Sequence, residues 1–308
     1  MEKIWLKRYP EGMPETIDPE HYASLLEVFE KSFTDYKDLP AFTNMGKTLS
    51  YDEIDTATKK VASYIQNDLG LKKCDKVAVM MPNLLQTPIA ILGILRAGCV
   101  VVNVNPLYTV RELEHQLKDS DTSAIFILAN FADTLEKALP HTDVKHIVVT
   151  QVGDMMGGIK KHVVNFVVKY IKKMVPSYTL PNTIDFCDLL KADENARPEV
   201  NLSDLAFLQY TGGTTGVSKG AMLSHGNMVG NLEQVSGCLD PVLERGKEVV
   251  ITALPLYHIF ALTANCLTFM KYGGLNVLIT NPRDMPGFIK ELSKAKFTAI
   301  TGVNTLFN

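Results

Sequence analysis

The chain has 308 residues, 46% of them hydrophobic, enough to bury the core of one large or two medium domains. Charged residues make up 21% and the formal net charge is −3, so composition excludes a general electrostatic case for nucleic acid. The five cysteines (Cys74, Cys99, Cys187, Cys238, Cys266) are scattered without a CxxC pair, which excludes a disulfide framework and a zinc site and fits reduced thiols in the cytoplasm.

In chain order, the N-terminus mixes charged and apolar residues and is not a signal peptide. Tyr22, Leu25, Leu26, Phe29 and Phe33 recur at helical spacing and predict a first helix packed along one face. A short hairpin follows around 44–46. Ser50 with Glu53 makes a capping box for a second helix, which Gly70 ends. Val77, Val79 and Met81 alternate as in a strand that closes at Pro82-Asn83. A helix over 84–96, Gly98 and a strand over 99–104 come next. The run 84–104 is the most membrane-like of the chain, but Thr87, Pro88 and Arg96 interrupt it, so it reads as a buried helix and strand. Asn105-Pro106 ends that strand, Thr109 with Glu112 caps another helix, and 123–128 is the next strand. The alternation indicates a βαβαβ unit with a parallel sheet.

Residues 153–181 form an irregular insert containing a predicted helix. Lys160, Lys161, Lys169, Lys172 and Lys173 gather toward one side, and Val163, Phe166, Val167, Tyr170, Ile171 and Met174 toward the other. Two readings stay open. The helix lies on an anionic membrane as a peripheral contact, or it is an ordinary surface helix packing its apolar stripe on the core. Residues 176–201 read as a surface connection broken by Pro176, Pro181 and Pro198.

The order of the first block then returns. A strand over 249–254 closes at Pro255, and a helix over 262–270 and Gly273-Gly274 follow. A strand over 275–280 ends at Asn281-Pro282, and a helix over 286–296 leads to a strand over 298–301. The segments from Pro106 to Ala124 and from Pro282 to Ala299 are nearly equal in length. Duplication and the common physics of doubly wound sheets both account for this. The fold class is α/β, with two related βαβαβ sheet units. The expected division is a first subdomain over 1–150, an insert and linker over 151–201, and a second, incomplete subdomain over 202–308.

The chemistry concentrates between the two blocks. An apolar strand over 205–208 runs into Tyr210, Thr211, Gly212, Gly213, Thr214, Thr215, Gly216, Val217, Ser218, Lys219 and Gly220, and a second strand over 221–223 follows. The glycines let the backbone approach a ligand, the hydroxyls and N–H groups donate, and Lys219 adds a positive charge. Many donors with one cation and no carboxylate suit phosphate oxygens. The Walker A pattern is absent, because Lys219 follows Ser218 and a strand, not a helix, comes next.

These residues resemble the phosphate-binding signature of the acyl-adenylate-forming family, usually Tyr-Thr-Ser-Gly-Thr-Thr-Gly-x-Pro-Lys-Gly. Gly212 replaces the serine and Ser218 the proline. With Asn103-Val-Asn105-Pro106-Leu-Tyr108-Thr109 and Leu254-Pro-Leu-Tyr257-His258-Ile-Phe260, the resemblance is to its bacterial long-chain-fatty-acid–CoA ligase branch. It implies a two-step reaction in which a fatty carboxylate attacks ATP with Mg2+ present, and CoA then displaces AMP. It further implies that residues 210–220 hold the ATP phosphates, with Thr214 and Thr215 near Mg-ATP and Lys219 catalytic. Tyr257 and His258 would lie beside the carboxylate and AMP, and Gly302, Val303, Asn304 and Thr305 would line the acyl tunnel. A packed helix-cap histidine is the plainer reading of His258. The family's later motifs have no counterpart before Asn308, so the chain is expected to be a fragment with little activity alone. A non-catalytic nucleotide-binding or membrane-associated fragment and a luciferase-like oxidoreductase are the rival readings, and a homodimer of the longer protein stays open.

Overall fold

The computed structural model describes residues 2–194, 199–212 and 218–307. Its strands are β1 (Pro40–Asn44), β2 (Lys47–Ser50), β3 (Lys76–Met80), β4 (Val100–Asn103), β5 (Thr122–Leu128), β6 (His146–Thr150), β7 (Thr183–Asp185), β8 (Leu205–Thr211), β9 (Lys219–Ser224), β10 (Val249–Thr252), β11 (Leu275–Leu278) and β12 (Ala299–Ile300). The helices used below are α1 (Leu25–Asp35), α2 (Tyr51–Asn67), α3 (Gln86–Arg96), α4 (Val110–Asp119), α5 (Ala132–Ala138), α6 (Gly158–Phe166), α7 (Phe186–Leu189), α8 (His225–Leu239), α9 (Ile259–Ala261), α10 (Thr268–Lys271) and α11 (Met285–Lys294).

Two sheets result. One runs β7-β6-β5-β3-β4-β8-β9 and the other β12-β10-β11-β1-β2; every pairing is parallel except β8–β9 and β1–β2. The alternation read in the sequence decides which face each side chain takes. Val77 and Val79 point into the core between the sheets, Ala78 and Met80 into the opposite face of the same sheet. The central core holds α1, α2, α3, α8 and the helical stretch of α9 and α10. The outer face of the seven-stranded sheet is covered by α4 and α5 through Leu113, Leu117, Leu135 and Ala138. Phe288 of α11 covers the outer face of the other. Arg96, which argued against a membrane span, is buried. It pairs with Asp55 at 2.7 Å and stacks over Phe33.

Both expected capping boxes form, at Ser50–Glu53 and Thr109–Glu112. The two blocks fold alike, with strand order third–first–second in each: β5-β3-β4 and β12-β10-β11. Each is extended beyond its second strand by a hairpin whose first strand is parallel to it, β8–β9 on β4 and β1–β2 on β11. The hairpins are exchanged. The one preceding the first block (40–50) joins the second block's sheet, and the one preceding the second block (205–224) joins the first. The divisions expected at 150 and 202 therefore cut across both sheets, because parallel pairing joins strands far apart in sequence.

The insert departs from one of its two readings. The helix runs through α6 into a π-helical turn, Val167–Ile171, and no residue of either is buried. Ile159, Val163, Phe166 and Tyr170, one helical stripe, are 53% to 82% exposed, and Met174 just beyond the helix end is 52% exposed, so the stripe does not pack on the core. Two of the five lysines turn toward the protein. Lys161 lies 3.4 Å from the buried Asp154 and 3.0 Å from Cys187 Sγ, and Lys160 donates to the carbonyl of Met45. Lys169, Lys172 and Lys173 stay exposed. No helix among the described residues is long and apolar enough to cross a membrane.

Candidate active site

The carboxyl ends of β4, β8 and β10 converge, the position at which open α/β sheets place ligands. They enclose a cavity of about 230 Å³. Asn103, Asn105 and Tyr108 line it from β4, Gln209, Tyr210, Thr211 and Gly212 from β8, and Tyr257, His258 and Ile259 from the turn after β10. A larger cavity of about 310 Å³ near the N-terminal segment holds none of the expected site residues, and its buried Lys271 is already paired with Glu233 and Ser236.

The signature is more strand-like than expected, since β8 reaches Thr211 and β9 begins at Lys219. Thr211 and Lys219 are register partners, and so are Tyr210 and Gly220. A side chain at 220 would strike the Tyr210 ring, its Cβ only 2.9 Å away, so glycine is required there by close approach. The neck is closed by Ser218 Oγ, which donates to the Thr211 carbonyl at 3.0 Å. Lys219 is exposed at the mouth. Gly213, Thr214, Thr215 and Gly216 lie outside the described residues.

Helix α4 holds this neck from outside. His115 and Asp119, four residues apart on one face, reach its two sides: His115 Nε2 donates to the Ser218 carbonyl at 2.9 Å, and Tyr210 donates its hydroxyl to Asp119 at 2.5 Å. Burial, with the Asp119 carboxylate as acceptor, pushes the Tyr210 phenol well above its ordinary range, so it stays a donor.

His258 is at once a cap and a cavity residue. It precedes α9 and its Nδ1 accepts the backbone N–H of Phe260 at 3.3 Å, which leaves the proton of a neutral ring on Nε2. It is exposed, unlike a packed core histidine. Beside it, burial raises the pKa of Tyr257, with Arg283 acting in the opposite direction. Gly302, Val303, Asn304 and Thr305 are not brought to this cavity. They follow β12 at the edge of the other sheet, and Val303, Asn304 and Thr305 are exposed.

The sequence reading missed an amide network beneath the site. Asn83 donates to the carbonyls of Thr252 and Leu254 and accepts from the N–H of Leu256, each at 2.9 Å. Gln209 donates to the Tyr257 carbonyl at 2.9 Å and accepts from Asn103 at 3.1 Å. The available signal was a polar residue at the end of each apolar strand. No carboxylate among the described residues lines the cavity, so none of them is assigned to Mg2+. Among the described residues one cluster has metal-ligand spacing, Asp154, Asp185 and Cys187, and Lys161 already supplies its cation.

The fold is an open α/β architecture with its cavity at the carboxyl ends of the strands, and the family profile described as "AMP-binding enzyme" matches residues 29–308; the chain belongs to that family. It is 59% identical to a long-chain-fatty-acid–CoA ligase of Salmonella typhimurium, over all of this chain and 55% of the relative. It is 52% identical to the Haemophilus influenzae protein of the same name, over all of this chain and 56% of that one. The chain thus spans about half the length of the curated relatives it matches. Among solved structures, the anthranilate CoA ligase AuaEII in complex with anthranoyl-AMP superposes with a TM-score of 0.77 at 17% identity. The match covers 93% of this chain and 51% of that one, and establishes the shared fold.

Proposed function

We propose that the protein carrying this chain is an AMP-forming long-chain-fatty-acid–CoA ligase, converting fatty acid, ATP and CoA to acyl-CoA, AMP and diphosphate through an acyl-adenylate. The observation that carries this is the 59% identity along the whole chain to a relative of that name. The site supports it chemically. Bringing a carboxylate to a triphosphate joins two anions, which calls for donors and fixed orientation. Thr211, Ser218 and Lys219 at the neck, with the intervening residues, would hold the phosphates and the departing diphosphate. His258 Nε2–H and Tyr257 would face the carboxylate and AMP, and Gly302, Val303, Asn304 and Thr305 the acyl chain. Mg2+ would travel with ATP and offset its charge. The test is oleate-dependent ATP–diphosphate exchange and acyl-CoA formation by the full-length protein with Mg2+. A purified, folded protein that supports neither would overturn the reading. The 308-residue chain by itself is expected to give no acyl-adenylate by mass spectrometry.

We further propose peripheral contact with anionic membrane through the exposed stripe of α6 and its π-helical continuation. Five exposed apolar side chains of the helix, among them Ile159, Phe166 and Ile171, stand next to Lys169, Lys172 and Lys173. An apolar face in the headgroup region with lysines over lipid phosphates is the geometry of an interfacial helix. Each lysine would contribute about 1 kcal/mol, screened by salt. Co-sedimentation with anionic vesicles should weaken at high salt and in a triple lysine-to-glutamine variant. An unchanged bound fraction would leave the stripe without this role.

A further inference from the structure

The turn that carries His258 belongs to the five-stranded sheet, yet it is held by side chains of the other sheet. Asn83 grips it at Leu254 and Leu256, and Gln209 grips it at Tyr257, the residue before His258. Gln209 also immediately precedes Tyr210 and Thr211 on the strand that feeds the phosphate-binding segment. We propose that Gln209 is a positioning residue that sets the carboxylate-side histidine relative to the phosphate-side strand. This rests on the ligase reading above.

The chemistry of the amide makes the link directional. A peptide carbonyl can only accept, so the end of Gln209 that meets the Tyr257 oxygen has to be its NH2. The other end is then an acceptor, and Asn103 satisfies it with its own NH2 at 3.1 Å. Asn103 is steadied in turn by Gln116, which donates to its backbone carbonyl at 2.8 Å. Gln209 is only 5% exposed and Asn103 3%, so losing either bond leaves a largely buried polar group, which costs more than losing an exposed one. Asn103 Oδ1 is buried and has no hydrogen-bond partner among the described residues, so none of them offers a spare donor at this corner. Take away the Gln209 NH2 and the Tyr257 carbonyl is freed to rotate, and with it the ring that follows. The backbone pairing of β8 with β4 and β9 is untouched by such a change, so the phosphate side should remain in place.

The experiment compares Gln209→Met and Gln209→Glu with the wild-type full-length protein. It reads nucleotide affinity, oleate-dependent diphosphate exchange against pH, and melting temperature. In Gln209→Met, kcat/KM for oleate should fall by on the order of tenfold or more, because a misaligned group near the reacting atoms costs rate steeply, while nucleotide affinity stays near wild type. In Gln209→Glu the ionised carboxylate opposes the Tyr257 oxygen, so activity should be low at about pH 8 and recover toward wild type at about pH 6. Burial at this position raises a carboxyl well above its ordinary pKa of about 4.3, so at the lower pH it is protonated and donates as the amide did. Gln209→Met should show no such recovery. Wild-type oleate kinetics in Gln209→Met, or a wild-type pH profile in Gln209→Glu, would overturn the proposal. If Gln209→Met does not fold, the pH profile of Gln209→Glu decides. A wild-type protein that lacks oleate-dependent exchange would instead overturn the ligase reading, and this inference with it.

Discussion

Two side chains show opposite ways in which a residue serves the site or the fold. Lys219 is exposed at the mouth of the neck. Lys219→Ala in the full-length protein is expected to weaken ATP use by about 1.5–3 kcal/mol, the worth of a charged phosphate contact. Melting temperature should not change, and ATP kinetics equal to wild type would remove Lys219 from the site. His225 is buried, and that burial lowers its pKa from 6.5 to about 4, with Asp204 acting in the opposite direction. The native state therefore holds a neutral ring while the unfolded chain binds a proton as pH drops below 6.5. Stability should decline from about pH 6.5 to about pH 4 and level off below, by on the order of 3 kcal/mol from this group. Melting His225→Asn beside wild type across that range tests it: the slope should flatten in the variant, and parallel curves would refute it. Lys219 and its glycine and threonine neighbours could be proposed from the sequence because the composition that suits a phosphate loop is local. Gln209 and Asn83 were not, since each acts on a backbone group that only the fold brings near.

At the scale of elements, α4 joins two parts of the site. Its N-terminus is capped next to Tyr108, and His115 and Asp119 hold both sides of the β8–β9 neck, the proposed phosphate side. Tyr210→Phe and Asp119→Ala are each expected to raise KM for ATP several-fold with little change in KM for oleate. The double variant should be no worse than either single one, because both remove the same bond. Fully additive effects would mean that the two residues act separately. The capping boxes at Ser50 and Thr109 could be read directly because each ends in glutamate. The one at Ser224 was missed because its third helical residue is Asn227, whose shorter side chain closes the same box. The outward direction of the α6 stripe was not legible either. Helical periodicity gives the stripe but not which way it faces.

For the whole molecule, the repeated order of strands and helices in the two blocks was visible in the sequence. The exchange of their hairpins was not, because nothing in a strand's alternation names its parallel partner. The exchange makes each half dependent on the other. Segments 1–150 and 202–308 expressed separately are expected to stay unfolded by circular dichroism and to associate when co-expressed, and a cooperative thermal transition in either alone would contradict this. There is also a consequence for synthesis on the ribosome. Asn44, at the end of β1, donates to the Leu278 carbonyl 234 residues later. At roughly 5–20 residues per second, a nascent chain would carry the first hairpin without its partner strand for about 10–50 s. During that interval Phe42 and Leu49, fully covered in the finished protein, are open to any binder of extended apolar segments. Emergence of β11 therefore sets the earliest moment at which the N-terminal hairpin can be withdrawn from chaperones.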